Sequence, residues 1–173
     1  MRVRRLTDED WHVLREIRLR SLAEDHPVLA SLEREQGFAE SHWRMRVRGS
    51  AWFVAEQGGR PVGLASVMTE PGAPIDERHV LGLWVAPEAR DAGVGEALLG
   101  AAAEEAWTQG AARVTCWRPT DDDVVEPLLR LAGFVPTGVR VLAPRDPSAT
   151  EERWVCERDA EPGTAGPSAG GST

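Results

Sequence analysis

Residues 85–100 read VAPEARDAGVGEALLG and join an apolar segment to a helical one. The preceding segment, His79 to Val85 (HVLGLWV), is almost uncharged and predicts a strand that Pro87 ends. The following segment, Gly93 to Gln109, is rich in Ala and Leu and predicts a helix, with Gly110 as its C-terminal stop. The segment therefore predicts a strand, a glycine-containing turn and a helix in succession.

The turn from Arg90 to Gly95 has the composition of an anion-binding loop. Gly93 and Gly95 allow backbone N–H groups to approach a ligand without interference from a Cβ atom. The unpaired N–H groups and the dipole at the start of a helix favour an anion, especially phosphate, and Arg90 adds a positive charge. The alternative is that the glycines serve only the chain reversal. The pattern favours a pyrophosphate cradle.

Two common phosphate-binding loops do not fit this turn. A P-loop requires a lysine, whereas all 20 basic residues of the chain are arginines. A dinucleotide-binding G-x-G-x-x-G turn requires a third glycine, and that position holds Leu98.

The composition sets broader limits on fold and partners. With 173 residues, of which 42% are hydrophobic, the chain is long enough for one domain with a buried core. The net charge of −8 argues against a nucleic-acid partner, and no apolar run is long enough to span a membrane. Cys116 and Cys156 are too few for a disulfide scaffold or a cysteine-based zinc site. Because the N-terminus lacks the apolar stretch of a signal peptide, we expect a cytoplasmic protein.

The remaining segments complete a mixed α/β order. The first predicted elements are a strand at Val3–Leu6 and a helix after Thr7 that ends at 25–27. This helix has a buried stripe of Trp11, Leu14, Ile17 (or Arg18) and Leu22. A helix-leaning segment at 28–48 follows, then a hairpin of Ala51–Glu56 and Pro61–Thr69, a strand at Arg113–Trp117, a helix at Asp123–Ala132, and strands at Val135–Ala143 and Arg153–Arg158. The order is βα(α)βββαβαββ in a single domain over residues 1–158. Residues 159–173, rich in Gly, Pro, Ser and Ala, are expected to be a disordered tail.

The motif and the element order together resemble a known family. R-x-x-G-x-G at Arg90–Gly95, after a strand ending V-x-P at Val85–Pro87 and with Gly133-Phe134 downstream, resembles the coenzyme A loop of the GNAT superfamily of N-acetyltransferases. The resemblance covers about residues 3–158. It implies an acyl-CoA N-acyltransferase-like fold, with a largely antiparallel sheet flanked by helices.

The resemblance also implies a set of acetyl-CoA-binding residues. The strand before the loop would splay from its neighbour and bind the pantetheine arm, while the loop amides would hold the pyrophosphate. The implied residues are Leu83, Trp84, Val85, Arg90, Asp91, Ala92, Gly93, Val94, Gly95, Glu96 and Asp122. Trp84 is alternatively a core aromatic. Asp122 stands where many members have an Asn that accepts from pantetheine, and is alternatively a carboxylate at the start of a helix.

The sequence departs from the family at the position of the general acid. Leu129 stands where the family often has a proton-donating tyrosine. If the leaving thiol behaves like cysteine, its pKa is about 8.5, and a thiolate of this pKa is not a poor leaving group at pH 7. The reaction can therefore tolerate the absence of the tyrosine. Cys116 is either a substitute donor or a small buried hydrophobe. The resemblance places the oxyanion at backbone N–H near Leu83 or Val85.

The nucleophile makes the greater demand, because an amine attacks only when neutral. A lysine-type amine with a pKa of about 10.4 is almost entirely protonated at pH 7. Candidate bases lie around the entry to the strand before the loop, and each is alternatively a solvated residue: Glu70, Asp76, Glu77 and His79. None of them is assigned as catalytic.

The implied function is acetyl transfer from acetyl-CoA, without a metal, to a primary amine of a small molecule or peptide. Transfer would be direct, in a ternary complex. An acyl-CoA-binding domain without turnover and an O- or longer-acyl transferase are the alternatives. The acceptor pocket would come from residues near 22–43 and 137–153, where Glu33 and Glu35 offer carboxylates to a cationic amine or form a solvated helix face. Dimers are common in the family, so a homodimer is also implied.

Overall fold

The structure, a computed structural model, describes residues 1–24, 29–144 and 146–158. The strands are β1 (Arg2–Arg5), β2 (Ala51–Gln57), β3 (Arg60–Met68), β4 (Glu77–Val85), β5 (Arg113–Pro119), β6 (Val135–Ala143) and β7 (Asp146–Glu157). The helices are α1 (Trp11–Glu24), α2 (Leu29–Gln36), α3 (Glu40–Gly49), α4 (Val94–Thr108) and α5 (Val125–Leu131). The predicted tail at 159–173 and the predicted helix stop at 25–27 lie outside the described residues.

The seven strands form one sheet in the order β1-β2-β3-β4-β5-β7-β6. Every neighbouring pair is antiparallel except β4 and β5, which are parallel and are connected through α4. The prediction of a mixed α/β domain with a largely antiparallel sheet is therefore confirmed. The turn of the β2–β3 hairpin has positive φ at both Gly58 and Gly59, as a tight two-residue hairpin requires.

Several predicted boundaries differ from the structure, three of them for a reason that the contacts show. The segment 28–48 contains two helices, α2 and α3, rather than one. Helix α5 begins at Val125 instead of Asp123, because Asp122 Oδ1 accepts hydrogen bonds from the N–H groups of Val124 and Val125. Strand β7 begins well before the predicted start at Arg153, since its backbone pairs with β5 on one side and β6 on the other. Pairing with distant strands leaves no local periodicity to read.

Helix α4 covers one face of the sheet, and Gly63 on β3 permits its close approach. A Cβ atom at Gly63 on β3 would lie 2.8 Å from both Val94 Cγ1 and Leu98 Cδ1 of this helix. Any larger residue at position 63 would therefore push the start of α4 away from β3. At its other end, α4 stops at Gly110, which has φ of +83° and donates to Trp107 O.

Helices α1 and α3 cover the opposite face. The predicted stripe of α1 is confirmed, because Leu14, Ile17 and Leu22 are buried and Trp11 is half-buried against the core. Within the described residues, no helix combines the length and the apolar character needed to cross a bilayer.

Candidate functional site

Strand β4 carries a bulge at the centre of the sheet. Leu64 pairs with Trp84 and Ser66 pairs with Leu81, so two residues of β4, Gly82 and Leu83, lie opposite a single residue of β3. Gly82 has φ of +66°, a conformation that glycine adopts without strain. The bulge turns the backbone of β4 just before the strand reaches the glycine-containing loop.

Beyond the start of β4, the sheet opens between β4 and β5. The ladder of these two parallel strands consists of the pairs Glu77–Arg113, Arg78–Val114 and His79–Thr115. Strand β4 nevertheless continues to Val85, and β5 continues to Pro119. The sequence resemblance implied such a splay, and the register places its apex at the His79–Thr115 pair.

The start of α4 presents a row of backbone N–H groups. The first hydrogen bond of this helix runs from Ala97 N–H to Gly93 O, so the amides of residues 93–96 precede the intrahelical ladder. Gly93 has φ of +70°, and no atom lies within 4 Å of the position of a Cβ there. Arg90 is exposed and donates from Nε to Val85 O at 3.2 Å, which ties the loop to the end of β4.

The two glycines of the loop have different physical reasons. At Gly93 the backbone conformation, with φ of +70°, is one that glycine adopts without strain. At Gly95 a Cβ atom would lie 2.7 Å from Leu128 Cδ2 on α5. The second glycine therefore permits helix packing, a contact between segments that the motif itself does not reveal.

Two of the implied cofactor residues also have structural roles. Trp84 is 8% exposed and belongs to the core cluster, in agreement with the alternative interpretation of its side chain. Asp122 uses Oδ1 at the start of α5, in agreement with its alternative as well. Arg118, which is buried and was not singled out from the sequence, donates to Asp122 O at 2.8 and 3.0 Å and fixes the loop before α5.

Arg20 is a second basic residue beside the loop. Its Nη2 donates to Glu88 Oε1 at 2.7 Å, and its guanidinium lies 5.3 Å from the centre of the Trp84 ring. This contact could not be predicted from the sequence, because Arg20 lies on α1 and meets the loop only through the tertiary fold.

A cluster of polar side chains lies at the apex of the splay. His79 is buried, and its Nδ1 lies 3.0 Å from Thr115 Oγ1 and 3.7 Å from Glu70 Oε2. Arg153 on β7 donates from Nη2 to Glu77 Oε1 and, at 3.2 Å, to Glu70 Oε2. Three of the four candidate bases therefore meet at one place. The fourth, Asp76, pairs with Arg113 at 3.5 Å.

Burial decides the charge state of the imidazole in this cluster. Burial lowers the pKa of His79 from its ordinary value of 6.5, the charges of Glu70 and Glu77 oppose this effect, and the charge of Arg153 adds to it. At neutral pH the ring is therefore neutral and has a lone pair for a proton.

The two positions considered for the general acid, 129 and 116, both lie in the core. Leu129, at the family's tyrosine position, is 1% exposed and packs in the core. Burial raises the pKa of Cys116 to about 12, with a further rise from Cys156 and an opposing effect of Arg153. Cys116 lies on β5 and Cys156 on the neighbouring strand β7. A thiol with this pKa is a small hydrophobe rather than an acid that functions at neutral pH.

A groove of about 370 Å³ lies beside the bulge, on the face covered by α1 and α3. Its lining residues are Arg18, Met45, Arg46, Gly49, Ser50, Trp52, Leu81 and Gly82. These lining residues belong to α1, α3, β2 and β4 or lie between them. The resemblance had implied an acceptor pocket formed by residues near 22–43 and 137–153. His79 lies on the same face of β4 as Leu81, because alternate residues of a strand point the same way.

Glu35 lies beneath the groove and corrects one expectation. It is 1% exposed, and its carboxylate pairs with Arg18 at 3.2 Å and with Arg46 at 2.8 Å. Burial raises the pKa of Glu35, but the hydrogen bonds and charges of the two arginines outweigh it, so the pKa is lowered. Glu35 is therefore neither part of a solvated helix face nor a partner for a cationic amine. Glu33 is exposed.

The sequence matches one family profile, described as the Acetyltransferase (GNAT) family, over residues 11–134. The chain belongs to the GNAT family of acetyltransferases. The match spans the segments that build the bulge, the splay and the loop, and it makes the protein an acyltransferase. No curated protein matches the sequence of this acetyltransferase.

Solved structures show the same fold as this GNAT chain. A Salmonella typhimurium protein assigned as an acetyltransferase, solved with its cofactor acetyl-CoA, has a TM-score of 0.71 at 17% identity and covers 98% of both chains. A ribosomal-protein-alanine N-acetyltransferase from Brucella melitensis has a TM-score of 0.68 at 21% identity, covering 91% of this chain and 100% of its own. An IAA acetyltransferase from Bacillus cereus has a TM-score of 0.63 at 17% identity, covering 91% and 99%. At these identities the likeness concerns the fold.

Proposed function

We propose that this acetyltransferase moves the acetyl group of acetyl-CoA directly to a primary amine of a small molecule or peptide within a ternary complex. The observation that carries the proposal is the continuity of three features along one segment. The open edge of β4 leads through the bulge at Gly82 to the amide-rich start of α4. This line offers backbone groups of the strand edge to a pantetheine arm and free amides to a pyrophosphate.

The cofactor would follow this line from its acetyl group to its pyrophosphate. The pantetheine arm would lie along the β5-facing edge of β4, at Leu83 to Val85, where it substitutes for the missing strand pairing. The amides of residues 91–96 would hold the pyrophosphate, helped by the helix dipole and by Arg90. Asp122, with Oδ1 engaged at the start of α5, would offer its second oxygen to a pantetheine N–H.

The acetyl carbonyl would then lie near the bulge. A backbone N–H at Leu83 or Val85 would donate to its oxygen and stabilise the negative charge that develops there. The neutral amine attacks the carbonyl carbon, the C–S bond breaks, and the thiolate leaves. The amine proton leaves towards the cluster at the apex of the splay, whose neutral member is His79.

The structure favours transfer without a dedicated acid for the leaving group. Leu129 has no proton to give. The pKa of the Cys116 thiol is about 12, so transfer of its proton to the less basic coenzyme thiolate would be unfavourable. A coenzyme thiolate, with a pKa of about 8.5 by analogy with cysteine, leaves and takes its proton from water.

Two measurements on the purified chain test this function. Acetyl-CoA in large excess over its Kd should raise the melting temperature, since a ligand that binds only the folded state stabilises it by about 2.7 kcal/mol at 100 times Kd. Release of free thiol from acetyl-CoA should depend on an added amine. A protein that shows no thermal shift lacks the proposed cofactor site. A shift without thiol release for any primary amine would identify a binding domain instead of an enzyme.

A further inference from the structure

The groove beside the bulge combines an apolar wall with a positive charge. Met45, Leu81 and Trp52 supply apolar surface, whereas Arg18 and Arg46 supply two guanidinium groups. The single carboxylate of Glu35 neutralises only one of these charges. The groove is therefore locally cationic in a chain whose net charge is −8.

Arg18 has one arm that faces the groove. Its Nε and Nη2 donate to Glu35 at 3.2 and 3.3 Å. Its Nη1 has no protein acceptor within the described ranges, and lies 4.0 Å from the position of a Cβ on Gly82. A carboxylate that is buried between two arginines thus holds Arg18 in place and leaves two N–H bonds directed at the bulge.

Arg46 supports this arrangement from the other side. Both of its terminal nitrogens donate to Glu35, at 2.8 and 3.3 Å. Its guanidinium also lies 5.3 Å from the ring centres of Phe38 and Trp43. Arg46 is therefore held on both sides, which makes Arg18 the residue with a donor to spare.

We propose that Arg18 Nη1 binds a carboxylate of the acceptor, so that the acceptor is a small free amino acid with an apolar side chain. The inference rests on the proposed function, because it takes the acetyl group to lie at the Gly82–Leu83 bulge. An amine that attacks there lies within a few bonds of Nη1, which fits a carboxylate on the α- or β-carbon. A peptide N-terminus has an amide at that place, and a lysine side chain has no charge there.

Three matched acceptors measure this preference: leucine, leucinamide and isopentylamine, with rates corrected for the fraction of neutral amine. A charge-assisted hydrogen bond predicts that kcat/KM for leucine exceeds that for the other two by about 10-fold or more. The Arg18→Lys variant keeps a positive charge beside Glu35 but has no second nitrogen that could bind the carboxylate of the acceptor. It should raise KM for leucine by about 10-fold more than it raises KM for isopentylamine. The Arg18→Gln variant should do the same if it folds.

A control and a second readout complete the test. Arg48→Gln removes one positive charge from α3 at an exposed arginine that pairs with Asp8, and it should keep the preference for leucine. With coenzyme A present, N-acetylleucine should raise the melting temperature of the wild type but not that of Arg18→Lys. This readout does not require turnover.

The outcomes separate the two proposals. Equal kcat/KM for the three acceptors, a preference that survives in Arg18→Lys, or equal thermal shifts with N-acetylleucine would overturn the carboxylate site and leave the acetyl transfer intact. Absence of any thermal shift with acetyl-CoA would instead overturn the proposed function.

Discussion

The loop before α4 and the groove beside the bulge adjoin the same turn of β4, but they are built in different ways. The loop is contiguous in sequence, and its donors are backbone amides between residues 91 and 96. The groove is assembled from α1, α3, β2 and β4, and its donors are side chains that a buried carboxylate positions. A contiguous backbone site depends on local conformation, whereas an assembled side-chain site depends on the packing of the whole domain.

The largest expected effect concerns the groove. Glu35→Gln replaces a buried carboxylate by a neutral amide and leaves two half-buried guanidinium groups without their counter-charge, and removing one partner of a buried ion pair costs up to about 3–5 kcal/mol. For a domain of this size that loss lowers the melting temperature by roughly 6–20 °C. Thermal unfolding of Glu35→Gln and of Glu33→Gln, an exposed carboxylate on the same helix, measures it.

The control sharpens the comparison of the two sites. Glu33→Gln should change stability by less than about 0.5 kcal/mol, as exposed substitutions usually do. If the two variants melt together, the ion triad beneath the groove does not hold the fold. If acetyl-CoA raises the melting temperature of Glu35→Gln by as much as it raises that of the wild type, the loop functions independently of the groove.

The next effect concerns the loop. Gly93→Val places a branched side chain at φ of +70°, which costs about 1–2 kcal/mol and moves the amides away from the pyrophosphate. The expected result is loss of the thermal shift with acetyl-CoA. Gly110→Val, at φ of +83° on the other end of the same helix and with open space around it, introduces the same strain. A variant at position 93 that binds acetyl-CoA like the one at position 110 would contradict the cradle.

The smallest effect concerns the imidazole of His79 at the apex of the splay. The pKa of His79 is lowered in the folded chain, so the unfolded chain binds this proton more readily. The contribution to stability is complete above pH 6.5 and is lost as the pH falls through that value towards the folded pKa. Urea unfolding at pH 7.5 and 5.5 should show a larger loss in the wild type than in His79→Gln. His12→Gln, at an exposed position, should match the wild type, and equal losses in all three proteins would refute the assignment.

The sequence indicated the contiguous parts of the molecule and missed the assembled ones. The apolar run at His79–Val85 and the glycines at 93 and 95 sufficed for the strand, the loop and the family. The hairpin of β2 and β3, with Gly58 and Gly59 at its turn, and the stripe of α1 were equally local. Where a helix or strand carries its own period or its own turn residues, the sequence alone predicts it.

The misses have a common cause in contacts between distant segments. Glutamate is usually a surface residue, and Glu35 is buried because Arg18 of α1 and Arg46 of α3 pair with its carboxylate. Arg20 meets Glu88 through tertiary packing, and the early start of β7 depends on strands β5 and β6. The reason for Gly95 is a leucine 33 positions later, at Leu128, and no periodicity reports it.

The three-pair ladder between β4 and β5 also bears on how the fold holds together. It divides the sheet into an N-terminal unit of four strands and a C-terminal unit of three, joined otherwise by contacts such as that of Gly95 with Leu128. Units with so few shared backbone hydrogen bonds open at a lower free energy than either unit unfolds. A ligand in this cleft would strengthen the seam by mass action. The substrate-bound enzyme would then unfold as one cooperative body, and the empty enzyme as two.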